Sequence, residues 1–437
     1  MKRDEPKRLG LPGGGELSSN ESSAAESAKT VTRLDRWLAR RIARGMGDPP
    51  VNIALWNGEE IYRSPTPRVG RLVFRDRGAL WSTVCSPELG AGDAFSAGRL
   101  QVEGDLVEVL FNIYTSLDHA SINSFKRNLF GRLPRPEPNT RTRSRKHIHH
   151  HYDLGNDFYR LWLDEQLVYT CAYYETPDAT LEQAQVSKMH HVCRKVLLKP
   201  GMDVVEAGCG WGTLALHMAE HYGVNVKAFN ISREQVSFAR DRAKSMGLDK
   251  QVEFIEDDYR NISGSFDAFV SVGMLEHVGP DHYHDLGSVI NRSLKADGLG
   301  IIHSVGRNRP TAPNAWLEQR IFPGSYPPSL REMLDIFEPF NFSILDIENL
   351  RLHYAKTLMA WLARFDDKVD IVRNMYDDDF VRAWRLYLGG CAAAFLSSSI
   401  QLFQVVFGYP LHNAIPMTRA HLYRDADAQA WSFDSIL

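Results

Sequence analysis

The sequence predicts an α/β fold, in which a mostly parallel β-sheet carries helices on both faces and is preceded by a small α+β domain. Two observations predict the larger part. Beyond residue 185, strand-like apolar runs alternate regularly with helical ones, which is typical of parallel sheets whose crossovers are helices. One of these runs, at 202–207, leads directly into a glycine-rich turn and a helix, the arrangement that opens a Rossmann-like fold.

The N-terminal third divides into three segments. Residues 1–30 are rich in Gly, Ser, Glu and Lys, and we expect them to be disordered because they have few apolar side chains to bury. Residues 31–120 are predicted to form the small α+β domain, with strands at 52–56, 70–74 and 80–83 and a helix at 106–117. Residues 121–150 form a basic linker, with eight Lys and Arg against the single acid Glu137.

A basic amphipathic helix is predicted at the start of the small domain. One face is apolar and much of the remainder is arginine; the apolar positions are Leu34, Trp37, Leu38 and Ile42, and the arginines are Arg33, Arg36, Arg40, Arg41 and Arg44. Such a helix either packs on its own domain with a solvated charged face or lies against an anionic membrane surface. The basic linker has the same two interpretations.

Residues 151–437 are predicted to form the larger, catalytic domain. Its elements are a helix ending at 197, strand 202–207, helix 213–222, strand 224–229, helix 233–246, strand 252–256, strand 267–271, helix 282–295 and strand 299–304. Ligands of such sheets bind at the carboxyl ends of the strands. The polar residues expected at those ends are Asn230, Asp257, Asp258, Glu276 and His303.

Composition excludes several classes of protein. The net charge of the 437 residues is only -3, which gives no preference for a nucleic acid partner. No apolar run reaches the ~18 residues of a membrane span, and the N-terminus is polar, so we expect a cytoplasmic protein. The five cysteines contain no C-x-x-C pair, and the histidines at 147–151 lack ligand spacing, so no disulfide framework or metal site is predicted.

The glycine-rich turn indicates which cofactor is bound. Glycines 208, 210 and 212 leave room where the backbone turns and approaches a ligand, although an ordinary strand-to-helix turn is the alternative. The nicotinamide fingerprint needs G-x-G-x-x-G and an acid about 20 residues later. Here the run is G-x-G-x-G, and the next strand ends at Asn230 without a carboxylate. The amides of Asn230 and Gln235 could hold a nucleoside, which favours S-adenosylmethionine over NAD.

Six segments, in order, resemble the cyclopropane fatty acid synthases. They are 151–159 (HYDLGNDFY), 169–173 (YTCAY), 206–212 (EAGCGWG), 271–279 (SVGMLEHVG), 302–304 (IHS) and 354–361 (YAKTLMAW). The resemblance covers roughly 145–410 and is highly specific because all six occur together. The N-terminal third resembles the family's small lipid-contacting domain more weakly.

The resemblance implies transfer of a one-carbon unit from S-adenosylmethionine to a cis double bond of an unsaturated phospholipid acyl chain, which closes to a cyclopropane. It also implies peripheral contact with the inner face of the membrane, and the family suggests a homodimer. A weakly nucleophilic alkene needs close positioning, and the cation formed on the chain must lose a proton in a site without water. The family uses a bicarbonate ion as the base, and the positions matched to its ligands are Cys171, Glu276, His303, the backbone of Val305, and Tyr354.

The same resemblance assigns the cofactor site. The matched positions are Tyr169, Thr170, Glu206, Gly208, Cys209, Gly210, Trp211, Gly212, Asn230, Ile231, Gln235, Asp258, Tyr259 and Arg260. Two departures indicate a divergent subgroup: Glu206-Ala207 replaces the usual Asp-Ile, and Asn230 stands where Thr is usual. Cys391 matches a cysteine once considered a nucleophile, a role that direct methyl transfer does not need and that an alanine-rich helix does not support.

Each catalytic candidate has a structural alternative. Glu276 could complement a helix dipole, His303 could be a core histidine, and Tyr354 could be a packing residue. Cys171 could be a small buried hydrophobe. For the whole protein, the alternatives are a fatty-acyl methyltransferase giving a methyl- or methylene-branched product, a lipid-binding protein without catalysis, and a nucleic-acid methyltransferase, for which no N-P-P-Y or Pro-Cys motif is present.

Overall fold

A computed structural model describes residues 9, 30–122 and 154–423. These residues form two compact units. The first holds 30–122, 312–323 and 358–400, and the second holds 154–311, 324–357 and 401–423. The units therefore differ from the contiguous domains expected from the sequence, since two segments from the C-terminal half group with the N-terminal part. The basic linker from residue 123 onward and the histidines at 147–151 lie outside the described residues, as does most of 1–30.

The N-terminal part of the first unit contains a four-stranded sheet and four helices. Its elements are α1 (Arg33–Gly45), β1 (Val51–Ala54), β2 (Glu60–Tyr62), β3 (Gly70–Phe74), α2 (Arg77–Cys85), α3 (Pro87–Ser96), β4 (Leu100–Glu103) and α4 (Leu106–Ile122). The strand order is β2-β1-β3-β4, and only the β1–β3 pair is parallel. This α+β arrangement surrounds a core that includes Leu38, Ile53, Phe74 and Leu80.

The predicted strand at 80–83 is wrong, because these residues lie in α2. Asp76 caps the first turn of this helix by accepting a hydrogen bond from the Ala79 amide at 2.9 Å. Ala79, Leu80 and Thr83 then face the core at helical spacing. Packing on one helical face overrides the local preference for a strand.

The apolar face predicted for α1 is wrong in part. The buried residues of α1 are Asp35, Leu38, Ala39 and Ala43. Leu34 and Trp37 are instead about half exposed, at 51% and 52%. Asp35 fixes the orientation of the helix, because its carboxylate is buried, forms a capping box with Thr32 and accepts hydrogen bonds from Arg77 at 2.9 Å.

The second unit is built around a seven-stranded sheet. The remaining elements of the chain are α5 (Asn156–Tyr159), α6 (Leu181–Lys195), β5 (Asp203–Ala207), α7 (Thr213–Tyr222), β6 (Asn225–Asn230), α8 (Arg233–Ser245), β7 (Val252–Glu256), β8 (Phe266–Val272), α9 (Tyr283–Ser293), β9 (Leu294–Gly306), α10 (Leu330–Phe337), β10 (Ser343–Asn349), α11 (Arg351–Asp367), α12 (Val369–Met375), α13 (Asp378–Leu396) and β11 (Gln401–Gly408). Of these, α12, α13 and most of α11 belong to the first unit.

The strand order of the large sheet is β10-β11-β9-β8-β5-β6-β7. Strand β11 is antiparallel to both of its neighbours, and all other pairs are parallel. One face packs with α6, α7 and α8, and the other packs with α9 and α10. The predicted Rossmann-like α/β fold is therefore confirmed. None of the helices in the described ranges is long and apolar enough to cross a membrane.

Candidate active site

The glycine-rich turn joins the end of β5 to the start of α7. Gly208, Gly210 and Gly212 all have positive φ angles of +86°, +53° and +82°. A Cβ at 208 would lie 2.9 Å from the Cβ of Met274, and one at 212 would lie 2.5 Å from the ring of Phe254. At 208 and 212 both the backbone conformation and the close neighbours therefore require glycine, whereas at 210 only the backbone conformation favours it.

A cavity opens at this turn, within the second unit. Its lining residues come from 167–170, β5, the glycine turn, the start of α7, the end of β6, the end of β8 with the segment after it, and one residue each of α6 and α8. They are Leu167, Val168, Tyr169, Thr170, Lys188, Glu206, Gly208, Cys209, Gly210, Trp211, Thr213, Leu214, Asn230, Gln235, Val272, Gly273, Met274 and His277. Nine of the fourteen predicted cofactor residues are among them. Gly212, Ile231, Asp258, Tyr259 and Arg260 are not.

The amide side chains of Asn230 and Gln235 form one end of the lining. Asn230 Nδ2 donates to the Gly210 carbonyl at 3.1 Å and to Gln235 Oε1 at 2.9 Å. Gln235 Nε2 is buried and has no partner within the described residues. A buried donor without a partner costs free energy, so its position next to the cavity fits a ligand acceptor.

Glu206 and Lys188 are two buried ionisable side chains of the lining. The Glu206 carboxyl is 2% exposed, and its Oε2 has no partner within the described part of the chain. Burial raises the pKa of Glu206 to about 8, and burial lowers the pKa of the Lys188 ammonium to about 8. Lys188 Nζ donates to Thr170 Oγ1 at 2.9 Å and so holds a residue of the cavity wall.

Lys188 was not predicted from the sequence. It belongs to a buried polar stripe on α6, formed by Gln185, Lys188, His191 and Lys195. Polar residues at these helical intervals could have identified a helix face that covers a polar site, but the same spacing is also usual for a solvated face.

The Asp258–Arg260 segment has a local structural role. Asp258 begins a turn of 3-10 helix after β7, accepting from the Arg260 amide at 2.9 Å and from its guanidinium at 3.0 Å. Tyr259 packs into the core beneath α9.

Trp211, in the glycine turn, donates from its indole nitrogen to Asn156 Oδ1 at 2.8 Å. This hydrogen bond connects the turn to α5.

Glu276 lies just beyond β8, in a 3-10 turn that follows the cavity residues Gly273 and Met274. Its Oε1 accepts a hydrogen bond of 2.6 Å from the Val305 amide of β9. Its Oε2 is inaccessible to solvent and has no partner within the described residues. Burial raises the pKa of Glu276 to about 7, although the Val305 hydrogen bond favours the carboxylate. At neutral pH this carboxyl can both give and take a proton.

His303 lies on β9, beside the end of β8. Its carbonyl accepts from the Gly273 amide at 2.8 Å, which joins it directly to the cavity wall. Its Nδ1 lies 3.0 Å from Nε2 of Gln404 on β11. Burial lowers the pKa of His303 to about 3, so the imidazole is neutral. His303 is thus a buried core residue that also borders the candidate site.

Cys171 and Tyr354 meet where the segment after Thr170 contacts the start of α11. Cys171 Sγ lies 4.0 Å from the Leu350 carbonyl, and the Tyr354 amide donates to that same carbonyl at 3.1 Å. The Ala172 amide donates to Thr357 Oγ1 at 3.1 Å. Burial raises the pKa of the Cys171 thiol, so it is protonated and can only be a weak donor.

Cys391 lies in the first unit, on α13, whereas the other five catalytic candidates lie in the second. Burial raises the pKa of its thiol to about 12. The thiolate that a nucleophile requires is therefore disfavoured.

The candidate site has two adjoining parts at the carboxyl edge of the sheet, the cavity and the carboxyl of Glu276. The cavity beside β5, β6 and β8 contains orphaned polar atoms of both kinds, the Gln235 donor and the Glu206 acceptor. Glu276, joined to β9 through Val305, adds a buried carboxyl whose pKa is raised to about 7. Such an arrangement can hold a zwitterionic small molecule and move one proton beside it.

Comparison with known proteins identifies the family. Residues 139–405 match the family model described as mycolic acid cyclopropane synthetase. The chain belongs to this family. A relative from Pseudomonas putida named "Probable fatty acid methyltransferase" is 34% identical over 387 residues, which cover 86% of this chain and 96% of the relative. The cyclopropane-fatty-acyl-phospholipid synthase of Escherichia coli K12 is 40% identical over 269 residues, or 61% of this chain and 69% of the relative.

A solved structure agrees with this assignment. The mycolic acid cyclopropane synthase CmaA1, in complex with SAH and CTAB, matches with a TM-score of 0.57 and 28% identity, over 60% of this chain and 97% of that one. This member of the cyclopropane synthetase family is therefore an enzyme, an S-adenosylmethionine-dependent methyltransferase, as the resemblance implied. The cofactor is the one that the glycine turn favoured.

Proposed function

We propose that this enzyme transfers a one-carbon unit from S-adenosylmethionine to a cis double bond of an unsaturated phospholipid acyl chain and closes it to a cyclopropane ring. The observation that carries the proposal is the position of Glu276, which stands between the cavity-lining residues Met274 and His277 and has a buried, unpartnered Oε2 within the described residues. Methylation of an oxygen or nitrogen atom releases a proton that solvent can accept. The cation left on a methylated alkene must instead lose a proton from carbon in a site without water, so it needs a buried acceptor.

The cavity residues fit the cofactor. Gln235 Nε2 supplies a donor, Glu206 Oε2 supplies an acceptor suited to an ammonium group, and the three glycines leave the backbone open to close approach. When bound, S-adenosylmethionine supplies a methyl group on a cationic sulfur. Lys188 holds Thr170 in the wall through its hydrogen bond, and Asn230 holds Gln235 in place.

The residues around Glu276 remove the proton. An acyl chain that has accepted a methyl group is cationic and would be captured by water, so the site must be dry. Solvent does not reach Glu276 Oε2, and Val305 keeps the carboxyl oriented through its amide. The proton leaves the new methyl group as the ring closes, and it is received at the carboxyl or at an acceptor held beside it.

Bicarbonate is the acceptor implied by the family resemblance. The set fits a small oxyanion in its chemistry: a neutral His303, a protonated Cys171 thiol, the Tyr354 hydroxyl and a carboxyl that can share a proton. The Val305 amide, however, already donates to Glu276. Glu276, His303 and Tyr354 would therefore hold a bicarbonate ion through hydrogen bonds, and the bound ion would supply the proton acceptor.

The decisive experiment uses the purified enzyme, labelled S-adenosylmethionine and vesicles of a defined cis-unsaturated phospholipid. The acyl products are analysed by mass spectrometry before and after mild hydrogenation. A cyclopropane gains 14 mass units and resists reduction, whereas an alkene takes up hydrogen. Assays in degassed buffer, with and without added bicarbonate, test the base. Undiminished turnover without bicarbonate would assign that role to Glu276 alone.

A methyl- or methylene-branched product is the second candidate. It is favoured by the Pseudomonas relative, whose name is that of a fatty acid methyltransferase and whose match covers 86% of this chain. In this case the acyl cation loses a neighbouring proton rather than one from the new methyl group. A labelled product that is reduced by hydrogenation would support this second candidate and contradict the first.

Peripheral membrane contact through α1 completes the proposal. Leu34 and Trp37 are half exposed, and the same helix exposes four arginines: Arg33, Arg40, Arg41 and Arg44. Exposed apolar side chains beside basic ones are typical of helices at an anionic lipid surface. Trp37→Ala should weaken binding to anionic vesicles, and Trp81→Ala, which removes a tryptophan of similar exposure on α2, should not. Equal effects of both variants would contradict a specific role for α1.

A further inference from the structure

Three polar side chains form a row across adjacent strands. Gln404 on β11 pairs directly with His303 on β9 and with Glu348 on β10. Residues directly opposite one another in antiparallel strands point to the same face of the sheet. His303 and Gln404 are almost completely buried, at 2% and 0% exposure. The row therefore connects the candidate site to the outer strand of the sheet through buried polar groups.

The hydrogen bond between Gln404 and His303 has a definite direction. An amide nitrogen can only donate, so Gln404 Nε2 donates to His303 Nδ1 across 3.0 Å. A ring nitrogen that accepts carries no proton. In a neutral imidazole the proton must then be on the other ring nitrogen, Nε2.

The position that lets Gln404 donate to His303 is unfavourable for the other atom of its amide group. Its Oε1 is buried and has no partner within the described residues. An unsatisfied buried acceptor costs about 1–3 kcal/mol. Leucine or methionine would fill this position in the sheet without that cost. A buried side chain with an unsatisfied polar atom calls for a role beyond packing.

Burial, together with nearby cations, keeps His303 neutral. Lys188, His191 and Lys195 face it from α6, and Glu348 faces it from β10. The cations and burial disfavour the imidazolium, and Glu348 opposes them only in part, because it is already paired with Lys195 at 2.6 Å. His303 therefore has one proton, and what remains to be decided is which nitrogen carries it.

We infer that Gln404 is a positioning residue that holds His303 in the Nε2–H tautomer, so that the nitrogen not bound to Gln404 is always a donor. The significance of this tautomer rests on the proposed function, in which His303 donates to the anionic acceptor of the proton. With the other tautomer, His303 would present a lone pair to that anion and repel it. The tautomer itself does not depend on the proposed function and can be measured without turnover.

The test is the ¹⁵N chemical shift of the His303 ring nitrogens in protein labelled at histidine, assigned by the signals lost in His303→Gln. Protonated and unprotonated ring nitrogens have well-separated shifts. We expect the unprotonated shift at Nδ1 in the wild-type enzyme. Gln404→Leu removes the donor and should give a mixture of tautomers. Gln404→Glu introduces an acceptor, which should move the proton to Nδ1 and raise the pH at which His303 titrates.

Kinetics provide the second measurement. Gln404 does not line the cofactor cavity, so the KM for S-adenosylmethionine should stay within about twofold while kcat falls roughly 10- to 100-fold in both variants, the range seen for residues that orient a functional histidine. Gln401→Leu is the matched control. Gln401 lies on the same strand, is 2% exposed and bonds Asn349 rather than His303. This variant should keep the wild-type tautomer and kcat.

The outcomes separate the two proposals. A wild-type His303 with its proton on Nδ1, or an unchanged tautomer in folded Gln404→Leu, overturns the inference even if the enzyme makes cyclopropanes. A tautomer that responds as expected supports the assignment to Gln404 even if the product proves to be branched. Equal losses of kcat in Gln401→Leu and Gln404→Leu would reduce Gln404 to a packing residue.

Discussion

The two faces of the seven-stranded sheet differ in what they bury. The face under α9 and α10, here called the aromatic face, takes Phe403, Val405 and Phe407 from β11. The opposite face, here called the α6 face, takes Gln404 and Val406 from the same strand. The helices differ in the same way. No charged residue is buried on α9 or α10, whereas α6 buries Lys188, His191 and Lys195.

The difference shows how one sheet can serve two purposes. Apolar packing on the aromatic face stabilises the strands in proportion to the area that it removes from water. Charges on the α6 face cost free energy to bury and are tolerated only with partners. They occur towards the carboxyl ends of the strands, where the candidate site lies. The aromatic face thus supports a site whose own residues are unfavourable for folding.

The largest expected effect is on turnover, at the edge that both faces share. Glu276→Gln removes the carboxyl that we propose to receive the proton or to hold its acceptor, but keeps the size of the side chain. We expect kcat to fall about 10²- to 10⁴-fold, because positioned acid–base groups contribute that much. The affinity for S-adenosylmethionine, measured by calorimetry, should stay within about twofold. Glu256→Gln, at an exposed carboxylate, is the control. A parallel loss of cofactor binding would mean that Glu276 has been given the wrong role.

The next largest effect should be a loss of stability on the aromatic face, with no change in the catalytic rate. Phe407 is fully buried, with its ring 4.9 Å from that of Phe337 and 5.3 Å from that of Phe342. Phe407→Ala should lower the free energy of unfolding by about 3–5 kcal/mol, measured in urea, because it leaves a large cavity. The kcat of the folded fraction should be close to wild type. A destabilisation below about 1 kcal/mol would show that this face is less tightly packed than its contacts indicate.

On the α6 face, the contribution of Glu348 to the free energy of unfolding should depend on pH. Although burial favours the neutral acid, the hydrogen bond from His191 at 2.7 Å and the ammonium of Lys195 lower the pKa of Glu348 to about 2. This stabilisation is fully present above the ordinary carboxyl pKa of about 4.3 and is lost as the pH falls towards 2.

Glu348→Gln should therefore destabilise the protein by about 2–3 kcal/mol at pH 7, at the lower end for a broken buried pair because Glu348 is 24% exposed. The difference from wild type should shrink below pH 4. Urea unfolding at pH 7 and at successively lower pH measures this. A difference that does not change with pH would mean that Glu348 contributes through packing and not through its charge.

The smallest effect concerns space on the aromatic face. A Cβ at Gly300 of β9 would lie 2.1 Å from the ring of Phe407. Gly300→Ala should cost about 1–3 kcal/mol in thermal or urea unfolding, because this ring is held by its aromatic neighbours and cannot move freely. Gly45→Ala, at the end of α1 with no atom within 4 Å, should be neutral or slightly stabilising. Similar effects at both glycines would contradict the close packing of the aromatic face.

Much of the second unit could be predicted from local patterns. The helix at 213–222 and the strand at 252–256 begin and end where the sequence predicted, because caps, glycines and apolar periodicity define them locally. Strands β10 and β11 were missed. The stretch of β11 reads QLFQVVFG, and its two glutamines interrupt the apolar pattern expected of a central strand.

The residues of the candidate site were predicted only where a local sequence motif marks them. Gly208, Asn230 and Glu206 follow from a turn motif and lie at the cavity. Lys188 and Gln404 had no motif, since a lysine on a helix and a glutamine on a strand are usually solvated. Their burial follows from contacts with residues 18 and 101 positions away. The orientation of α1 was likewise decided by the distant partner of Asp35, Arg77.

The sequence by itself determined the α/β class, the glycine turn and the set of residues at the carboxyl ends of the strands, because backbone conformation and hydrophobic periodicity are local properties. Only the tertiary structure decided which polar side chains are buried together. It brought the glutamine of β11 beside the histidine of β9 and the lysines of α6 above them, and it placed 358–400 with the N-terminal unit. Burial and pairing between distant residues depend on how the elements pack, and the free energy of those contacts has no signature in any short stretch of the chain.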